Sequence, residues 1–125
     1  MSTRFIILLI VCSPILLFSQ SKTIKIKKET HSKIDLGKKL FKENCSQCHG
    51  ETNQMLTGPG LVGVTTRLKM SWLISWVRSS TELILSGDKY AVEVYKKYGT
   101  GQPDFQQLSN EEIKSIFNYV GTFKK

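Results

Sequence analysis

Apolar and polar positions fall into two regimes along this chain. Fourteen residues from Phe5 to Phe18 form a greasy run broken only by Ser13 and Pro14. Beyond it, apolar residues recur at helical spacing. Ile34, Gly37, Leu40 and Phe41 share one stripe of a helix, with Lys38, Lys39 and Lys42 on its outer face. Ser71 predicts a helix start, with Trp72, Leu73, Trp76 and Val77 turned inward. Asp88 or Ser86 starts a helix over Lys89 to Tyr98, and Gly99 stands where a left-handed residue ends it. Ser109 and Glu112 match a capping box, and Leu108 and Ile113 a hydrophobic staple. The last helix then turns Ile113, Ile116, Phe117 and Val120 to the core. Asp88 and the pair Tyr95 and Tyr98 are accounted for as a helix cap and as core packing.

Two stretches break this rhythm. Glu51 to Val64, rich in Gly, Thr and Asn, reads as a loop. Gln20 to Ser32 sets five Lys or Glu charges between isolated apolar residues without a helical period, and reads as a tail. Alternation occurs only at Thr23 to Lys27, too short and too charged for a strand. The fold class is therefore all-α.

The leading run changes the compartment. Arg4 before it and small residues after it make residues 1–19 a secretory signal peptide, with cleavage near 19–21. Fourteen residues fall short of the ~20 that span a bilayer, and Pro14 weakens an anchor further. Cys12 suggests lipoprotein processing, but Val11 before it fits that poorly. The domain plan is thus a leader at 1–19, a basic tail at 20–32 and a folded domain at 33–125. The localisation that follows is the periplasm, with membrane association through the tail as a variant.

Composition adds a shortfall. The chain has 125 residues, 18 Lys and Arg against 10 Asp and Glu, and a net charge of +8. Once the leader is set aside, about 35% of the remaining residues are apolar, and a chain of that size buries only about two-thirds of its unfolded surface. Such a thin core calls for a cofactor or staple. Multi-domain enzymes, coiled coils and polytopic membrane proteins are excluded.

Export leaves Cys45 and Cys48 in an oxidising compartment, where an idle pair would be joined. They sit in Cys45-Ser46-Gln47-Cys48-His49, the C-x-x-C-H spacing of covalent c-type haem attachment. Two thiols on one turn add to the vinyl groups along one porphyrin edge, and the next imidazole ligates iron. A redox dithiol would sit at a helix start after a strand, and no such pattern exists here. Zinc needs two further ligands, and His31 is the only other histidine.

From Lys33 to Phe123 the sequence resembles the class I cytochrome c family, in its small, single-haem, exported bacterial form. The motifs are Gly37-x-x-x-Phe41 before the haem motif, Thr57-Gly58-Pro59-Gly60-Leu61 after it, Pro103-Asp104-Phe105, and Ser109 through Tyr119 as the last helix. The resemblance implies three to five helices wrapped around one covalently bound haem c. It places the first and last helices in contact, with Gly37 and Phe41 against Ile116 and Tyr119. Pro59 would offer its carbonyl to His49 Nδ1–H, or else simply shape a turn. Arg67 and Trp72 would stand near the haem propionates, or else be a solvated arginine and a core tryptophan.

The sixth iron ligand departs from the pattern. Relatives carry Met followed by proline in the segment Thr100-Gly101-Gln102-Pro103-Asp104-Phe105, where Gln102 takes the methionine's place. A thioether favours ferrous iron, whereas an amide oxygen favours ferric. Gln102 ligates through its carbonyl oxygen, or the position is open or water-filled, or a neighbour substitutes. Met70 is the first such neighbour and Lys96 or Lys97 the next. Met55 is too near His49, and His31 would have to fold back from the tail.

Two functions follow from this fork. The first is a periplasmic one-electron carrier between redox proteins, such as a membrane oxidase or reductase. The second is a haem domain whose open sixth position binds a diatomic gas or peroxide, as sensor or scavenger. No distal acid–base residue can be assigned, so the chain is read as a carrier and not an enzyme.

Charge is concentrated at one end. Residues 22–42 hold eight basic and two acidic groups, whereas residues 43–125 hold nine basic and eight acidic. Such an end suits docking to an acidic redox partner or contact with anionic lipid. Nothing interleaves aromatic and basic residues as nucleic-acid binding requires.

Overall fold

A computed structural model describes residues 15–125. Cys12 and most of the leader lie outside the described residues. The described chain is helical: α1 (Ile15–Asn44), α2 (Val64–Arg67), α3 (Met70–Arg78), α4 (Ser80–Leu85), α5 (Lys89–Tyr98) and α6 (Asn110–Val120). No strand occurs among these residues, only an isolated antiparallel bridge between His49 and Met55. The all-α expectation holds, with six helices where three to five were expected; the short α2 and α4 are the two that periodicity did not mark.

The chain divides into two units, residues 1–30 and residues 31–125. In the first, the stretch read as an irregular tail is helical, part of α1. Thr23 and residues 25–30 carry exposed side chains, so no apolar stripe forms among them. The good helix propensity of Lys and Glu supplies the backbone preference instead.

In the second unit, α1, α3 and α6 enclose a core of Leu40, Phe41, Leu73, Val77, Ile113, Ile116, Phe117, Tyr119 and Val120, extended by Val64 and Leu108. Gly37 lets α1 reach α6. A Cβ there would overlap the Ser115 carbonyl oxygen and lie 3.1 Å from Ile116 N. One turn on, Phe41 is fully buried and meets Tyr119 and Phe123 edge-on, with centroids 5.7 and 5.3 Å apart. Such tilted ring pairs match positive edge to negative face.

The helix ends follow their side chains. Ser109 and Glu112 form the capping box of α6 in both directions. Asp88 Oδ1 accepts Ala91 N–H at 2.9 Å to start α5, and Gly99 at φ 73° ends it. Helix α3 starts at Met70, not after Ser71, and Lys69 gives it no side-chain cap. Met70 packs against the core and draws the first turn back, so Ser71 lies inside the helix and exposed. Tyr95, expected in the core, is also exposed.

Candidate haem-attachment site

Helix α1 unwinds into the attachment turn. Asn44 Nδ2 donates to Leu40 O at 2.9 Å, and the N–H groups of Cys45 and Ser46 both close on Phe41 O. Cys45 O then accepts from Cys48 N at 3.1 Å and from His49 N at 2.9 Å. Both thiols and the imidazole therefore sit on one tight turn. The thiols are free and half-buried.

The following loop folds back onto the histidine. Gly58 N donates to Cys48 O at 2.8 Å, and His49 bridges to Met55. Two glycines permit this. A Cβ on Gly58 would approach His49 Cε1 to 2.6 Å, and one on Gly60 would approach the Asn53 main chain to 2.6 Å. Between them, Pro59 O lies 2.8 Å from His49 Nδ1. A carbonyl oxygen only accepts, so Nδ1 carries the proton and Nε2 keeps its lone pair for a metal.

Lys42 and Tyr119 tie the loop to α1 and α6. Glu51 pairs with Lys42 Nζ at 3.4 Å and accepts the Tyr119 hydroxyl. Burial, then that hydrogen bond, push the Tyr119 phenol up to about 12.

This donor set fits haem c better than its rivals. A working dithiol needs a lowered thiol pKa, whereas burial, then the neighbouring Cys48, push Cys45 up to about 11. Zinc needs four ligands, and among the described residues no cluster of three or more His, Cys, Asp or Glu is assembled. The turn offers two free thiols, a single imidazole with its tautomer set, and a glycine face against the ring.

A model of the cytochrome c family matches residues 34–124. The chain belongs to the cytochrome c family. Among solved structures, it resembles a cytochrome c from Rhodothermus marinus, with TM-score 0.64, 24% identity, and coverage of 72% of this chain and 75% of that one. It also resembles the cytochrome c domain of the pp3183 protein from Pseudomonas putida, with TM-score 0.58, 26% identity, and coverage of 67% and 83%. No curated protein sequence matches. A cytochrome c domain carries covalent haem c and passes electrons to redox partners. Among the described residues no helix is long and apolar enough to cross a membrane.

The other predicted site residues are distributed as follows. Arg67 and Trp72 line one open recess of about 440 Å³ together with Lys69, Asp88, Lys89 and Tyr90. Neither cysteine nor His49 reaches it. Trp72 gives its single N–H to Asp88 Oδ1 at 3.1 Å and stacks on Trp76, with centroids 5.3 Å apart. Arg67 gives one of its five N–H donors to Val62 O at 3.0 Å. Met70 is core-packed, Met55 and Lys96 are exposed, and Lys97 lies over the Tyr98 ring. His31 is exposed in α1, 3.7 Å from Asp35.

Gln102 is held at two atoms. Its Nε2 donates to Trp76 O at 3.3 Å, and its main-chain carbonyl accepts from Ser80 Oγ at 2.7 Å. Reading the sequence missed Ser79 and Ser80 altogether. The pattern Ser79-x-x-Glu82 was a visible cap signal for α4, and Ser79 Oγ does accept Glu82 N–H. The bond from Ser80 to Gln102 spans 22 positions and left no local trace.

Proposed function

We propose that this cytochrome c domain is an exported, periplasmic one-electron carrier in which Gln102 takes the sixth iron position through its amide oxygen. The observation that carries the haem reading is the 2.8 Å contact of His49 Nδ1 with Pro59 O, which leaves Nε2 as the one nitrogen able to ligate. Bound haem supplies the reversible one-electron couple. Cys45 and Cys48 hold it by thioether bonds, and Pro59 keeps the imidazole from turning.

Gln102 would supply a hard oxygen donor, which favours ferric iron and a lower potential than methionine would set. Arg67, with Lys69 and Lys89 beside it, is the stronger candidate for the propionates, because Trp72 has already given its only N–H to Asp88. The basic residues of α1 favour an acidic docking face on the redox partner and bring an ionic-strength dependence to the rate. The leader at residues 1–19 is the ground for export.

The carrier reading is favoured over a gas-binding one by the two hydrogen bonds that keep Gln102 in place. Visible spectra of the reduced protein, taken before and after carbon monoxide, test it. A carrier keeps its spectrum through the time of mixing. An immediate shift of the whole population assigns the domain to gas or peroxide binding instead.

A further inference from the structure

We propose that Ser80 is a positioning residue for the sixth iron position, clamping the ligand loop to the end of α3 so that Gln102 presents oxygen and stays put when the iron changes charge. The inference rests on the placement of Gln102 proposed above.

The last carbonyls of a helix have no partner within it. At the end of α3 the ligand loop supplies partners. Trp76 O receives Gln102 Nε2 at 3.3 Å, and Val77 O receives Phe105 N–H at 3.0 Å. Two serines fasten the same loop from the start of α4. Ser79 Oγ donates to Asp104 Oδ2 at 3.0 Å, and Ser80 Oγ donates to Gln102 O at 2.7 Å. Of the two, Ser80 is the one with 0% exposure, where an unmet hydroxyl would be costly and a met one is strong.

Gly101 fits the clamp. A Cβ there would stand 2.5 Å from Ser80 Oγ and 3.4 Å from Ile84 Cδ1, so only glycine allows the loop to lie this close. The two holds on Gln102 act on different ends of the residue. Ser80 fixes its main chain, and Trp76 O, which can only accept, fixes which end of the amide it meets. With Nε2 so engaged, Oε1 is the remaining polar atom, and no protein hydrogen bond to it is formed among the described residues.

The clamp therefore disfavours two motions that would open the iron: swinging of the loop and turning of the amide. An external ligand must break this hold before it can bind.

Imidazole titration of the purified ferric holoprotein, followed by visible absorbance, tests the clamp. Ser80→Ala is expected to raise imidazole affinity about tenfold, the effect of losing roughly one buried hydrogen bond. Gln102→Ala is expected to raise it at least as much. Ser80→Ala placed on Gln102→Ala should then add nothing, because the group it positions is gone. A serine with a merely structural role would lower the melting temperature and leave imidazole affinity within twofold. That result for Ser80→Ala, with Gln102→Ala still raising affinity, overturns the clamp and spares the placement of Gln102. No change in affinity or spectrum for Gln102→Ala overturns both. Should Ser80→Ala yield no holoprotein, Gly101→Ala presses on the same hydroxyl from the other side. The same rise in affinity supports the clamp, and unchanged affinity overturns it.

Discussion

Gly37 of α1 lies directly against the main chain of Ser115 in α6, with no room for a side chain between them. The obstacle is a carbonyl oxygen in a helix ladder, not the end of a flexible side chain. Gly37→Ala should therefore force the helices apart and cost roughly 1–3 kcal/mol. Thermal unfolding of the holoprotein checks this. A melting curve matching the wild type would show that the crossing is looser than its geometry implies.

Gly58 stands in the same relation to the imidazole, since its absent Cβ would crowd His49 Cε1 at 2.6 Å. Gly58→Ala should push the ring off Pro59 O, lower the yield of holoprotein and reduce its stability by roughly 1–3 kcal/mol. Haem content per polypeptide and thermal unfolding measure the two effects separately.

The contrast between these glycines and Ser80 explains what could be read from the chain. Asp88, Gly99 and the pair Ser109 and Glu112 act on neighbours a few positions away, so their pattern is visible in one dimension, whereas the contact of Gly37 with α6 was legible only through the family resemblance. In the helix through residues 20–32, Thr23 and residues 25–32 are exposed, and periodicity finds nothing to register among them. Ser71 is a good cap residue, but Met70 gains burial by joining α3 and local preference gives way to packing. The hold of Ser80 on Gln102, like that of Trp72 on Asp88, joins segments brought together only by the fold.

Asp88 links acidity to stability. The Ala91 N–H, then the Trp72 indole, hold its carboxyl below the ordinary value of 3.8. A carboxylate with a lowered folded-state pKa contributes stability above its unfolded pKa and loses it as pH falls through the folded one. The contribution of Asp88 should thus be lost as pH drops below 3.8, and that of Glu112, lowered from 4.5 by the Ser109 N–H, as pH drops below 4.5. Asp88→Asn keeps an oxygen for the cap and removes the charge. Denaturant midpoints for that variant between pH 5 and pH 2.5 should fall less steeply than for the wild type.

Haem completes a core that is thin without it. Burying a few hundred Å² of macrocycle at about 25 cal/mol per Å² supplies on the order of 5–10 kcal/mol, comparable to the whole stability of a small domain. The haem-free chain should be largely unfolded. Far-ultraviolet circular dichroism of apoprotein is expected to show no cooperative melt, and a sharp transition near that of the holoprotein would show that the polypeptide folds unaided.

Haem is expected to be bonded covalently to the turn at Cys45 and Cys48, with His49 on the iron. Mass spectrometry of the purified, denatured protein and its proteolytic peptides tests it most directly. One haem should remain attached after denaturation, on the peptide that contains both cysteines. An intact mass equal to the bare polypeptide, with both thiols free to alkylate, would contradict it.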